Sequence, residues 1–271
     1  MSRSQETPFF FELGGERLFG LMHFPATPAT TGVVFCHAFA EEKLWSHRVY
    51  VNFARSAAAA GFAVLRFDMR GEGDSARDFE ATDIESRVAD VRRAVEELRS
   101  RVPQLRRVVL VGHRLGGSIA AAAGGADGLA IWDPIVDGAD YFSQLLRSNL
   151  TTQMAVEGKV TRTRDALIAA LTAGETVTAD GYGLSAALHA QMSALKLDAG
   201  SFGQLPTLLL EVPKGEQTAP GAPLAAIVAA HATVQCQLAA EAPFWRETRQ
   251  FHQRAAKFET ATLDWLRTRG S

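Results

Sequence analysis

Short continuous apolar runs alternate along this chain with longer stretches in which apolar positions recur every three or four residues. The runs are Val33-Val34-Phe35-Cys36, Phe62 to Phe67, Val108-Val109-Leu110-Val111 and Leu129-Ala130-Ile131-Trp132. A strand with one wet face alternates, so uninterrupted runs predict strands covered on both faces. Between them, Trp45 to Ala60 predicts a helix that Gly61 ends. Ile84, Val88, Val91, Val95 and Leu98 recur at spacings of four and three, which predicts an amphipathic helix stopped by Pro103. Thr82-Asp83-Ile84-Glu85 reads as its capping box. At the start, Phe9 to Leu13 and Arg17 to Phe24 flank Gly14-Gly15, the pattern of a hairpin, and Pro25 to Thr31 is a loop.

Strands alternating with helices argue for a mostly parallel central sheet with helices on both faces, an α/β fold. From about Asp137 to Gly200 the alternation breaks. Leu145, Leu146, Ala166 to Leu171 and Leu184 to Leu195 predict several helices with no strand between them. This is read as a helical cap inserted after strand six, over the strand ends. Residues 1–136 and 201–271 would form the core, and 137–200 the cap. Thr207 to Leu210 and Val234 to Leu238 would complete the sheet, and Phe244 to Arg269 would be a final helix.

Composition narrows the function classes. The 271 residues suffice for a sizeable core, and 47% hydrophobic with 21% charged residues is ordinary for a globular protein. A formal charge of -2 gives no reason to expect nucleic acid or an acidic membrane as partner. The two cysteines, Cys36 and Cys236, fall in predicted strands and read as core residues. No zinc spacing, basic leader with an apolar core or membrane-length apolar run is seen, so the expectation is a cytoplasmic protein without a metal or other cofactor. The sequence leaves homo-oligomerisation open.

In such sheets ligands sit at the carboxyl ends of the strands, so the informative residues follow each run. Gly112-His113-Arg114-Leu115-Gly116-Gly117 stands between the strand at 108–111 and a helical stretch from Ser118 to Ala123. This is the strand–turn–helix of a G-x-S-x-G nucleophile elbow with arginine at the nucleophile position. A guanidinium stays protonated and has no lone pair with which to attack a carbonyl.

With these pieces the chain resembles the α/β-hydrolase superfamily over nearly its whole length. His37 matches the oxyanion loop after the third strand, and Arg66 to Ser75 the R-x-D-x-R-G-x-G-x-S loop after the fourth. More narrowly it resembles the exosortase A system-associated hydrolase 2 group. The matching pieces are His37 to Glu42, Trp132 to Val136, Gly181 to Leu184 and Pro243-Phe244-Trp245. That likeness implies a bacterial setting near surface-polysaccharide and protein-sorting pathways, and a group in which the elbow serine can be missing.

The resemblance also locates the missing parts. A triad's histidine normally follows the last strand, where this chain has Pro243-Phe244. His231 lies at the wrong end of the sheet, and His252 is expected inside the final helix. Candidate acids are Asp133, after the sixth strand, and Glu216, which reads more simply as a solvated loop residue. Ser75, Ser118 and a Cys36–His37 pair are weak alternative nucleophiles, since they read as structural or point to opposite faces. Glu41, Glu42 and His47 make a weak metal signal; capping the next helix is the simpler reading. Two readings of Arg114 stay open: a buried ion pair with Asp133, or a pocket for a carboxylate or phosphate at the start of the elbow helix. The expected ligand-binding set is His37, Ala38, Arg114, Leu115, Asp133 and Phe244. The function expected is a non-catalytic small-ligand-binding or accessory protein, taking an anionic or acyl-bearing ligand. A hydrolase of esters or thioesters with an atypical catalytic set, or a pure interaction protein, are the alternatives.

Overall fold

The computed structural model describes residues 5–247 and 251–269. An eight-stranded sheet runs in the order β1-β2-β4-β3-β5-β6-β9-β10. It consists of β1 (Gln5–Leu13), β2 (Glu16–Phe24), β3 (Thr31–Cys36), β4 (Ala63–Phe67), β5 (Arg107–His113), β6 (Gly128–Trp132), β9 (Thr207–Glu211) and β10 (Val234–Leu238). The β1–β2 and β2–β4 pairs are antiparallel, and every other neighbouring pair is parallel.

Alternation along the buried strands sends side chains to two cores. Val33, Phe35, Val109, Val111, Ala130, Trp132 and Leu208 meet α1 (Glu41–Ala59) and α8 (Ala256–Arg269). Val34, Cys36, Val108, Leu110, Leu129 and Ile131 meet α2 (Ile84–Arg101) and α3 (Leu115–Ala123), with α7 (Ala222–Ala230) on the same side. This two-sided burial is why the strands read as unbroken apolar runs. The cap of α2 sits one residue later than expected. Asp83 is the N-cap and accepts from Ser86 N at 2.8 Å, and Ser86 Oγ accepts from Asp83 N at 2.9 Å.

Between β6 and β9 lie α4 (Gly138–Glu157), α5 (Arg164–Thr172) and α6 (Ala186–Ala194). The expectation of helices alone is corrected here: β7 (Val177–Ala179) and β8 (Tyr182–Leu184) form a small antiparallel hairpin. Three-residue strands are too short to show a period. The final helix is also shorter than expected and starts at Ala256. Phe244 and Trp245 precede it, buried against His113, and so mimic helical apolar spacing without being helical. His252 accordingly lies ahead of α8, not inside it. Among the described residues no helix is long and apolar enough to cross a membrane.

Candidate functional site

The turn between β5 and α3 has the geometry of a nucleophile elbow. Arg114 adopts φ 54° and ψ −125°, a region that side-chain-bearing residues rarely enter. Arg114 N donates to Trp132 O at 2.9 Å, and Gly117 N to Arg114 O at 3.0 Å. The turn is this sharp because glycines let backbone meet backbone. A Cβ on Gly112 would lie 2.3 Å from Gly117 Cα, and one on Gly116 would lie 2.1 Å from His37 O. The oxyanion loop and the elbow are thereby pressed together, as the glycines of the motif require.

Three of the five N–H groups of the guanidinium projected by this turn are engaged by carboxylates of its own chain. Nη1 donates to Asp133 Oδ2 at 2.8 Å; Nε and Nη2 donate to Glu42 Oε1 at 3.1 and 3.0 Å. Tyr141 OH donates to Glu42 Oε2 at 2.9 Å, and Val212 N to Asp133 Oδ1 at 3.1 Å. The guanidinium carbon also lies 5.2 Å from the Trp245 ring centre and 5.6 Å from that of Tyr141. Burial works against this charge, but the field of Glu42, Tyr141 and Asp133 outweighs it and holds Arg114 above its ordinary pKa. The expected Arg114–Asp133 pair is thus present. Glu42, read from sequence as a helix cap, is the second partner. It lies in the first turn of α1, just beyond the oxyanion loop, and that proximity was the available signal.

Above the guanidinium opens a cleft of about 680 Å³, lined among others by Glu41, Trp45, Tyr141, Asp180, Trp245 and Glu247. Four carboxylates (Glu41, Glu42, Asp180, Glu247) face it against two guanidinium groups, Arg114 and Arg246. Burial, then the nearby Asp180, raise the pKa of Glu41. Among the described lining residues there is no histidine and no cysteine.

The other expected residues are placed as follows. His37 Nδ1 donates to Ala38 O at 2.9 Å, and Nε2 lies 3.3 Å from Glu72 Oε2. Burial and then Lys43 push His37 down to about 4, so it is neutral near pH 7. Ala38 is fully buried, and its N–H donates to Tyr50 Oη at 3.2 Å; Tyr50 Oη and His113 Nδ1 share a hydrogen bond of 2.6 Å. That N–H is directed beneath the elbow and not into the cleft. Phe244 is 1% exposed, stacked on His113 with ring centres 4.8 Å apart, and is not among the residues lining the cleft. Leu115 has its side chain in the core, leaving only its backbone at the start of α3. Pro243 follows β10 in a turn closed by Arg246 N to Pro243 O. Glu216 is exposed in a loop and does not line the cleft.

The alternative nucleophiles are occupied. Ser75 Oγ donates to Asp68 O at 2.6 Å, and Ser118 Oγ to Ile135 O at 2.7 Å. Cys36 is fully buried and its thiol pKa is pushed up by that burial. Glu41 and Glu42 face the cleft while His47 lines a different cavity, so the three do not converge on a metal.

A parallel sheet with one antiparallel edge, a strained elbow after β5 and an oxyanion loop packed on it define an α/β-hydrolase fold. A family model described as serine aminopeptidase, S33 (Hydrolase_4) matches residues 27–163, and the chain belongs to that family. No curated protein matches the sequence. Solved structures show the same fold at low identity. Est1E from Butyrivibrio proteoclasticus, with ferulic acid bound, is 13% identical at a TM-score of 0.65, covering 96% of this chain and 98% of that one. An esterase from Pyrococcus furiosus is 11% identical at 0.64, covering 98% and 91%. The thioesterase domain from the curacin biosynthetic pathway is 16% identical at 0.57, covering 96% and 99%.

Proposed function

We propose that this protein binds a small ligand in the elbow cleft and does not perform serine-type hydrolysis. The observation that carries this is Arg114 at the nucleophile position, tied to Glu42 and Asp133. The loop that supplies the base in a triad holds Pro243, and Phe244 beside it is packed into the core. Ser148 and Thr152 line the cleft, but among the described lining residues neither has a histidine to activate it. Loss of triad members lowers turnover by roughly 10⁴–10⁶-fold, which leaves no useful activity.

Residues 137–200 act in this reading as a cap, with Tyr141 and Asp180 forming one wall of the cleft. The likeness to the exosortase-associated group supports an accessory role in a bacterial cytoplasm. The anion expected from the arginine alone fits the cleft poorly. The charge of the guanidinium is already matched by two internal carboxylates, and the walls carry more negative than positive groups. A neutral acyl-bearing or cationic ligand with an apolar body against Trp45 and Trp245 fits better, because like charge at close range is unfavourable.

The rival reading, an ester or thioester hydrolase with an atypical residue set, draws support from the names of the esterase and thioesterase neighbours. A fluorophosphonate probe and p-nitrophenyl esters separate the two. The expected result is no labelled serine and no turnover above buffer. Stoichiometric labelling of one serine, with turnover abolished by its alanine variant, would overturn the proposal.

A further inference from the structure

A second cavity, of about 390 Å³, lies beneath α1 and shares no lining residue with the elbow cleft. Arg66 of β4, Arg48 and His47 of α1 all line it. Burying a charge is tolerated when an opposite charge meets it, and three other interior arginines obey that rule. Arg70 meets Asp90 at 2.6 Å and Glu16 at 2.7 Å, Arg87 meets Glu72, and Arg114 meets Glu42 and Asp133. Arg66 differs. Among the described residues no carboxylate or hydrogen-bond acceptor engages it, and burial holds its pKa below the ordinary value. The carboxylates whose field reaches it are already committed: Asp68 accepts from Lys43 at 2.8 Å and Glu6 from Arg55 at 2.6 Å. Arg48 and His47 are exposed and likewise unpaired among the described residues. Three carboxylates line the cavity as well: Glu6 and Asp68, each already paired with a cation, and the exposed Asp74, which opposes the cations.

We propose that this cavity is a binding site for a small phosphate group, free or as a monoester, with Arg66, Arg48 and His47 as its donors. Three donor groups from a strand and a helix suit an oxyanion with several acceptor oxygens better than a two-oxygen carboxylate. The size of the cavity, about 390 Å³, admits a small phosphorylated molecule. The ligand would supply the partner that Arg66 lacks in its own chain.

Isothermal titration at low salt with inorganic phosphate, glycerol phosphate and acetate tests this. Phosphate and glycerol phosphate are expected to bind, with acetate at least about tenfold weaker. Preference for glycerol phosphate would identify an organic monoester as the ligand; equal binding would identify free phosphate. Arg66→Met should weaken phosphate at least about tenfold and Arg48→Ala about fivefold. Arg66→Met removes an unpaired charge and should keep the apo protein folded; were it to unfold, Arg48→Ala carries the test alone. No phosphate binding up to about 10 mM, or equal binding by wild type and both variants, overturns the proposal. So does binding that is lost in Arg114→Ala but kept in Arg66→Met, which would place the anion in the elbow cleft.

Discussion

Replacing Arg114 with alanine removes the only cation that touches both Glu42 and Asp133 among the described residues. Breaking one side of a fully buried ion pair costs about 3–5 kcal/mol, because the remaining charge is left desolvated. Here the side chains of Arg114, Glu42 and Asp133 are 12%, 14% and 17% exposed, so water reaches them in part. Glu42 would also keep the Tyr141 hydroxyl, and Asp133 the Val212 N–H. These reduce the expected loss to about 2–3 kcal/mol. For a chain of this size that corresponds to a fall in Tm of about 4–12 °C. Urea denaturation of Arg114→Ala, Glu42→Gln and the double variant gives the coupling energy directly, expected at about 1–2 kcal/mol. Arg114→Lys keeps the charge but loses the fork that reaches both carboxylates, and should fall between wild type and alanine. A Tm for Arg114→Ala within about 1 °C of wild type, or a coupling below about 0.3 kcal/mol, would refute the claim that this guanidinium is fastened in place.

Arg114→Ser restores a hydroxyl at the elbow yet should give no ester turnover, since no histidine lines the cleft among its described residues; appreciable p-nitrophenyl acetate hydrolysis would contradict this. Acid should unfold the protein through its buried imidazoles. Burial pushes His23 and His37 down to about 4, whereas free imidazoles titrate near 6.5. Unfolding then takes up protons between those values, so stability is full above about pH 6.5 and declines toward pH 4, by up to about 3 kcal/mol for each ring. His23→Gln should flatten the slope, and a urea midpoint constant from about pH 7 to pH 4.5 in the wild type would refute the assignment. Gly116→Ala should cost at least about 3 kcal/mol, since its methyl would collide with backbone at His37 that no rotamer can relieve; a normal Tm would mean the elbow is looser than described.

Much of the fold was legible because burial on both faces writes itself as unbroken apolar runs at 33–36, 108–111 and 129–132. The elbow was legible because its glycines have no substitute where Cβ would strike backbone. Glu42 was harder: its partner lies 72 positions away, and a carboxylate in a helix's first turn already has a local reason to be there. The sign of the cleft was illegible for a similar reason. Its carboxylates come from α1, the β7–β8 turn and the stretch after β10, and only folding adds them together. Ala38 and Phe244 were placed by motif position, which fixes the backbone path but not which way a donor or a ring turns. The hairpin at 177–184 and the late start of α8 were missed because three-residue strands and core-facing aromatics outside a helix leave no distinctive period.

The bend at position 114 persists although it presents nothing that attacks. Its dihedral angles are set by glycines and carbonyls on either side, not by the residue that occupies it. Whatever amino acid is written there will therefore be held out toward the same chamber by its surroundings. This makes the position a ready-made mount for a chelating or photoreactive side chain, whose aim is decided before it is installed.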